Sequence, residues 1–256
     1  MIKLLISFTT RFIPRHYLQL FAAFALRILG FFYLGNRFED PISGKKYRKL
    51  LPYGRTNVRE NALAPHSMSL ERHRLIWMYL KEKTNFFTAP QKVLHIAPEY
   101  CFLKLFKKQS NLDYVTADLI SPWADVKMDV QAIPFPDSQF DVVICNHVLE
   151  HVDSDHKAMQ EIHRVLKSGG FAILQVPMDL SMEKTLEDPS INTPELREKH
   201  YQQRDHLRFY GKDYGDRLRN AGFNVDENDY VKTLPADLVE RYALPKDEIL
   251  YVCSKA

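Results

Sequence analysis

The run from Gln139 to Gly170, Q-F-D-V-V-I-C-N-H-V-L-E-H-V-D-S-D-H-K-A-M-Q-E-I-H-R-V-L-K-S-G-G, limits the possible folds more than any other stretch of this chain. Phe140 to Asn146 is apolar, rich in β-branched residues and of strand length. Met159, Ile162, Val165 and Leu166 recur at helical spacing, which predicts a helix from about Asp155 to Leu166. Gly169-Gly170 offer the left-handed conformation that ends such a helix, and Phe171 to Pro177 reads as a second buried strand. Strand, crossover helix and strand make a parallel βαβ unit. His147, Glu150 and His151 follow the first strand, at the carboxyl end where open α/β sheets bind small molecules.

Around this unit the pattern repeats. Strands are predicted at Lys92–Ala97, Tyr114–Asp118 and Asp125–Met128 before it, and at Phe223–Glu227 and Glu248–Cys253 after it. Alternation with helical segments indicates an α/β fold with a doubly wound, mostly parallel sheet; the last two strands lack an intervening helix and are expected to pair antiparallel at an edge. A helix is expected from Ser69, its N-cap, with His73, Ile76, Trp77 and Leu80 on one face, and another over Lys212–Asn220, closed by Gly222. Residues 38–68 are turn-rich without periodicity, and Asp179 to Tyr210 is a long polar segment. The domain reading is an arm at 1–37, a loop region at 38–68, a linking helix at 69–89 and the α/β body at 90–256.

Charge is unevenly spread. Residues 1–60 hold eleven Lys/Arg against three acidic residues, a net +8, whereas the remainder is −5. Such an arm fits an anionic surface or a solvated basic face. Tyr17 to Leu34 is apolar apart from Gln19 and Arg27, and Pro14 precedes it, so a helix of about five turns is expected. Arg15, Gln19, Ala23, Arg27 and Gly30 form a polar or small stripe opposite Phe21, Phe24, Ile28, Leu29, Phe31 and Phe32, with Leu26 breaking the pattern. This helix has three uses open to it: a membrane interface, its own domain, or a second copy. Arg27 near the centre costs a spanning helix roughly 2.5–3.5 kcal/mol, and no small-residue cleavage site marks a secretory signal. Cys101, Cys145 and Cys253 are too few and too dispersed for a disulfide framework or a zinc spacing, which points to a reducing, cytoplasmic setting, with membrane association through residues 15–34 as an added option.

Asp118 lies 23 residues past His95, the spacing at which nucleotide-binding α/β folds place a ribose-binding carboxylate. Asp129 ends the third strand in the same way, suited to an adenine amino group. With I-P-F-P-D-S-Q-F-D at 133–141 the whole chain comes to resemble the class I S-adenosylmethionine-dependent methyltransferases. It is similar in particular to a bacterial subgroup with S-L-E-R-H-R, V-L-H-x-A-P-E, C-N-H-V-L-E-H-V and D-H-x-R-x-Y-G, here Ser69–Arg74, Val93–Glu99, Cys145–Val152 and Asp205–Gly211.

The resemblance implies a seven-stranded Rossmann-like methyltransferase sheet with S-adenosyl-L-methionine as cofactor. It implies cofactor contacts from His95, Ala97 and Glu99, from Asp118 and Leu119, from Asp129 and Val130, and from Asn146 and His147. His147, His151, His206 and Tyr210 fall on the acceptor side, with His147 or His206 as a general base. Residues 179–210 are implied to be a substrate lid, offering Thr185, Glu187, Asp188, His200, Tyr201, Asp205 and Arg208. Two departures stand out. The glycines usual after the first strand are replaced by His95, Ala97, Glu99 and Cys101. The zinc-knuckle cysteines of related chains are replaced by Asp40, Ser43, Ala64 and Ser67, leaving the loop to be held by Tyr47, Leu50, Leu51 and Tyr53. His147, Glu150, His151 and His206 have the composition of a nitrogen-rich metal site, but H-V-L-E-H-V is common where no metal is used, so no divalent ion is expected.

The expected activity is methyl transfer to an O, N or C nucleophile of a small or lipid-like acceptor; the alternative is a binding or scaffold protein that has lost catalysis. A nicotinamide dehydrogenase is disfavoured because G-x-G-x-x-G is missing after the first strand. Nucleic acid is not an expected partner, for no spaced aromatic–basic stripe is present.

Overall fold

The structure, a computed structural model, describes residues 15–54 and 58–256, with side chains from Phe21 onward. Lys3, Arg11, Pro14 and Arg55, and the side chains of Arg15 and Gln19, lie outside the described residues. Helix α1 (Arg15–Phe31) leads into two small hairpins, β1 (Leu34–Asp40) with β2 (Lys45–Tyr47), and β3 (Leu51–Tyr53) with β4 (Arg59–Leu63). Helix α2 (Glu71–Lys83) links these to the body. The body runs β5 (Gln91–Ile96), α3 (Tyr100–Phe106), β6 (Leu112–Asp118), β7 (Val126–Lys127), β8 (Phe140–Asn146), α4 (Asp155–Val165) and β9 (Leu166–Gln175). It closes with α5 (Pro194–Tyr201), α6 (Tyr214–Asn220), β10 (Asn224–Asn228), a 3₁₀ turn (Tyr230–Thr233), α7 (Ala236–Arg241) and β11 (Leu250–Ser254).

The main sheet has seven strands in the order β10-β11-β9-β8-β5-β6-β7. β5 to β9 are parallel, while β10 and β11 run antiparallel at the edge as expected; the expectation that no helix lies between them is corrected, since the 3₁₀ turn and α7 fill that connection. Parallel strands are covered on both faces, and β8 shows it: Val143 and Cys145 pack with α4, while Val142 and Ile144 pack with α2 and α3. Because β5 pairs with both β6 and β8, the order reverses there, and the carboxyl ends of these strands are the place where open α/β sheets bind ligands.

Several local expectations are corrected. Gly169-Gly170 do not cap the crossover helix, which ends at Val165 with Leu166 already extended. They lie inside β9 at a bulge, where Gly169 has φ +75° and a Cβ on Gly170 would sit 2.8 Å from the Asp141 carbonyl oxygen. α2 starts one residue later than expected, because the Ser69 hydroxyl is committed to Asp40 (3.1 Å) and Leu70 takes the cap position. Residues 38–68 hold parts of both hairpins, and 179–210 is not wholly irregular: Thr193 caps α5 with Pro194 in its first turn.

The loop region around residues 40–69 is held by a hydrogen-bond knot. Buried Asp40 accepts from the Ser43 and Ser69 hydroxyls (2.5 and 3.1 Å) and from the Ile42 amide (3.2 Å), and Ser67 Oγ accepts from the Ser69 amide (3.0 Å). Phe38, Tyr47, Leu50 and Ala64 pack beside it, whereas Tyr53, expected to help, is exposed. α2 is pinned by Arg74, fully buried, whose guanidinium donates to the carbonyls of Ala62, Ser69, Tyr242 and Ala243 at 2.6–3.0 Å.

Candidate functional site at the strand tips

The carboxyl ends of β5, β6 and β8 lie side by side where the strand order reverses. Alternation along β5 sends His95 to the α2/α3 face, where its ring lies against Phe102 and Phe106, each with its centroid 6.2 Å away. Its two nitrogens are both engaged, Nδ1 with the Tyr114 hydroxyl (2.7 Å) and Nε2 with Glu99 Oε2 (2.5 Å). His95 therefore positions Glu99 and keeps neither nitrogen free for a cofactor. Glu99 precedes α3 and also accepts from Asn146 Nδ2 (2.9 Å), which ties the tips of β5 and β8 together. Burial alone would raise the Glu99 carboxyl, but His95, then His73 and the Asn146 amide, hold it down to about 2. A buried anion with a fixed orientation results.

Ala97 stands where a glycine is usual and has the conformation a glycine would take, φ +49°; its amide donates to the Ala117 carbonyl (2.8 Å). His147 after β8 is also left-handed at φ +54°, held by its amide bond to the Gln175 carbonyl (2.7 Å). Two non-glycine residues in this region store backbone strain at the site. Ala97→Gly is accordingly expected to leave stability unchanged or raise it, by up to about 1 kcal/mol, where Ala→Gly elsewhere costs that much. Urea unfolding of the two proteins checks it; a clear loss would mean that the turn is not strained.

Asp118 Oδ1 accepts the amides of Ile120 and Ser121 (2.8 and 2.6 Å), and Asp129 Oδ1 accepts that of Gln131 (2.8 Å), so each carboxylate is locked by its own turn. Leu119 and Ile120 are largely exposed, at 66% and 71%, while Val130 is buried. Asn146 Oδ1 is buried without a hydrogen-bond partner, as is Arg72 Nε.

The sequence reading missed His73 and Gln175 as site residues. His73, buried on α2, accepts the Leu70 amide at Nδ1 (3.1 Å) and brings Nε2 to 3.8 Å from Glu99 Oε1. Its apolar helix face marks it as core, and only its place in S-L-E-R-H-R hinted otherwise. Gln175 accepts the Tyr251 amide (2.7 Å) and donates to the Ile249 carbonyl (2.9 Å) and Glu248 (3.1 Å), bracing β9 beneath His147.

Burial, then the cations of Arg72 and Arg74 and the His147 ring, push His73 down to about 3 against the pull of Glu99. The unfolded chain takes up that proton near the ordinary value of 6.5, so stability present above it is lost as pH falls toward 3. Glu99 acts in the same sense from 4.5 toward 2. Each adds a slope of about 1.4 kcal/mol per pH unit across its window. Unfolding free energies between pH 7 and 4.5 are expected to fall less in His73→Phe than in the parent; equal slopes would show that His73 is not held neutral.

On the acceptor side, Glu150 is fully buried, and His147 Nδ1 lies 3.3 Å from its Oε1. His151 is part-exposed beside His206, their ring centroids 4.7 Å apart, and His206 is buried. Tyr210 sits apart from them. Its buried hydroxyl donates to Asp155 (3.0 Å), which also takes a bidentate pair from Arg217 (2.9 and 2.8 Å). Arg208 is likewise buried, donating to the carbonyls of Leu149, Val152 and Asp153 and to Glu187. Tyr210 and Arg208 thus hold the segment around 205–210 onto α4 and turn no free group to an acceptor. Tyr201 is buried too, its hydroxyl accepting the Asp188 amide (3.0 Å), while the Thr185 hydroxyl donates to Asp213 (2.7 Å) and His200 is exposed.

Residues 86–174 match the model of a family described as "Methyltransferase domain". Over 54 residues the chain is 41% identical to the ubiquinone/menaquinone biosynthesis C-methyltransferase UbiE of Xanthomonas oryzae pv. oryzae, and over 44 residues 39% identical to the uncharacterized methyltransferase YcgJ of Bacillus subtilis. These stretches cover 21% and 17% of each chain, so the protein spans about a fifth of the length of the curated relatives it matches. Among solved structures, YcgJ of B. subtilis gives a TM-score of 0.46 at 14% identity over 72% of this chain and 99% of its own. An S-adenosylmethionine-dependent methyltransferase of Mesorhizobium loti gives 0.47 at 12% over 69% and 96%. The match places a methyltransferase domain over residues 86–174, a segment that spans β5 to β8 and most of β9 of the parallel sheet.

Proposed function

We propose that the protein transfers the methyl group of S-adenosylmethionine to an O, N or C nucleophile of a small or lipid-like acceptor. The observation that carries this reading is Glu99: an anionic carboxylate fixed by His95 and Asn146 at the point where the strand order reverses. The donor set suits the cofactor. Glu99 is matched to its ammonium group and Arg72, with its buried unpartnered Nε, to its carboxylate; Asp118 is matched to the ribose hydroxyls and Asp129 to the adenine amino group. The bound sulfonium supplies an already activated methyl group. What remains for the chain is alignment and exclusion of water. His147, part-exposed at the tip of β8, is the side chain assigned to acceptor contact, with His151 and His206 behind it.

Calorimetry with S-adenosylhomocysteine tests this. Micromolar binding is expected; a folded protein that binds none would favour the scaffold reading, and preference for NAD would favour a dehydrogenase.

The lipid-like arm of the reading is supported by the local likeness to a quinone-biosynthesis enzyme and by α1. Ala23 and Gly30 of α1 are buried against the body, Gly30 next to Pro65, while Phe21, Phe24, Ile28, Phe31 and Phe32 point outward, 52–72% exposed. Arg27, Arg37, Lys45, Lys46, Arg48 and Lys49 are exposed around them. Among the described residues no helix is long and apolar enough to cross a membrane. An apolar face ringed by cations matches an anionic lipid surface, onto which α1 would lie flat. Beneath it, a cavity of about 230 Å³ is lined by Arg27, Phe31, Lys45 and His66 among others, away from the strand tips.

A further inference from the structure

Behind His147, three side chains of metal-ligand type gather in one place. Ligand atoms of Glu150, His151 and His206 lie within 4.8 Å of one another. His206 is 1% exposed, and its Nδ1 lies 2.9 Å from the Tyr201 carbonyl oxygen. A carbonyl only accepts, so Nδ1 carries the proton and Nε2 a lone pair, and Nε2 has no hydrogen-bond partner. His151 repeats the arrangement with Nδ1 at 3.2 Å from the Asp205 carbonyl oxygen, which leaves its Nε2 the basic atom. Glu150 is 0% exposed, and neither of its oxygens makes a hydrogen bond; His147 approaches Oε1 to 3.3 Å without the geometry of one.

A buried carboxylate approached only by the His147 ring, beside a buried imidazole nitrogen with no partner, is costly in a folded protein unless a further cation satisfies them. The Nδ1–H bonds to backbone carbonyls are the outer-shell supports that fix the ring orientation of metal-ligating histidines. We infer that Glu150, His151 and His206 hold one divalent transition cation of the zinc class. Two imidazoles and one carboxylate are the ligand set of such ions, and a hard ion such as magnesium would prefer more oxygen. Three protein ligands leave a position open, and part-exposed His151 puts it on the solvent side. Resting on the methyl-transfer reading, that position would fix an oxygen of the acceptor beside His147.

The test is metal uptake by the full-length protein, free of affinity tag and stripped with chelator. One equivalent of Zn²⁺ is expected by calorimetry, and Co²⁺ in its place is expected to give the intense visible bands of a four- or five-coordinate ion. Glu150→Gln and His206→Gln are each expected to weaken binding at least tenfold. So is His151→Gln, whose part-exposed side chain is least tied to folding; circular dichroism verifies all three. His163→Gln, a histidine packed on Phe223 away from this cluster, is expected to leave uptake unchanged. No stoichiometric uptake by the folded parent, uptake undiminished in the folded ligand variants, or uptake abolished by His163→Gln would overturn the inference. S-adenosylhomocysteine binding by the same samples reports separately on the methyl-transfer reading.

Discussion

Glu99→Gln is expected to weaken S-adenosylhomocysteine binding by roughly 10- to 100-fold, read by calorimetry on protein shown to be folded, because a hydrogen bond to a charged group contributes about 1.5–3 kcal/mol. The glutamine keeps the shape and an oxygen for His95 or Asn146 but loses the negative charge that matches an ammonium group. Asp118→Asn is expected to cost less, since Ile120 and Ser121 can still bond the amide oxygen and hold the turn. The product analogue lacking its amino group separates two explanations. If Glu99 contacts that group, parent and Glu99→Gln bind the analogue equally; if the substitution merely loosens the tips of β5 and β8, the variant binds the analogue worse as well. Unchanged affinity for S-adenosylhomocysteine in Glu99→Gln would remove the observation on which the proposed function stands.

Replacing Phe21, Phe24 and Phe31 together by Glu is expected to move the protein from the floating to the soluble fraction with vesicles containing anionic lipid. Each ring forfeits about 1.5–3 kcal/mol of burial, so the three together change partitioning by several orders of magnitude. All three are exposed, at 71%, 64% and 72%, so the folded body should be untouched. Vesicles of neutral lipid are expected to bind the parent less well, and added salt to weaken it further, because cations at the surface act over a Debye length. A shortened chain beginning near Asn36 should behave like the triple variant. Equal recovery of parent and triple variant would dismiss the lipid surface, and a parent dimer dissolved by the same substitutions would assign the face to a second copy.

The strands were legible because their signal is local. Phe140 to Asn146 is a continuous, largely apolar run of strand length, the pattern of a parallel strand buried on both faces. The acidic tips followed from spacing along that sheet. What could not be read was decided by distant partners. Ser69 gave up its cap to Asp40, twenty-nine residues away, and His73 looked like core because its polar partner, Glu99, lies on another element. The Gly169-Gly170 pair fits a helix end and a strand bulge equally well, and only the approach of the Asp141 carbonyl chooses between them. Tyr210 and Arg208 read as acceptor contacts from their motif, whereas buried bonds to Asp155, Glu187 and the turn after β8 occupy them. The histidine tautomers behind the metal inference depend on two carbonyls, which no side-chain pattern announces.

The Arg74 guanidinium has a consequence for the order of assembly during synthesis. Two of its acceptors, Ala62 and Ser69, leave the ribosome before it, but Tyr242 and Ala243 follow 168 and 169 residues later. Until then a positive charge waits half-satisfied at the seam between the hairpins and the body, so the hairpin side of this seam can close only after Tyr242 and Ala243 arrive.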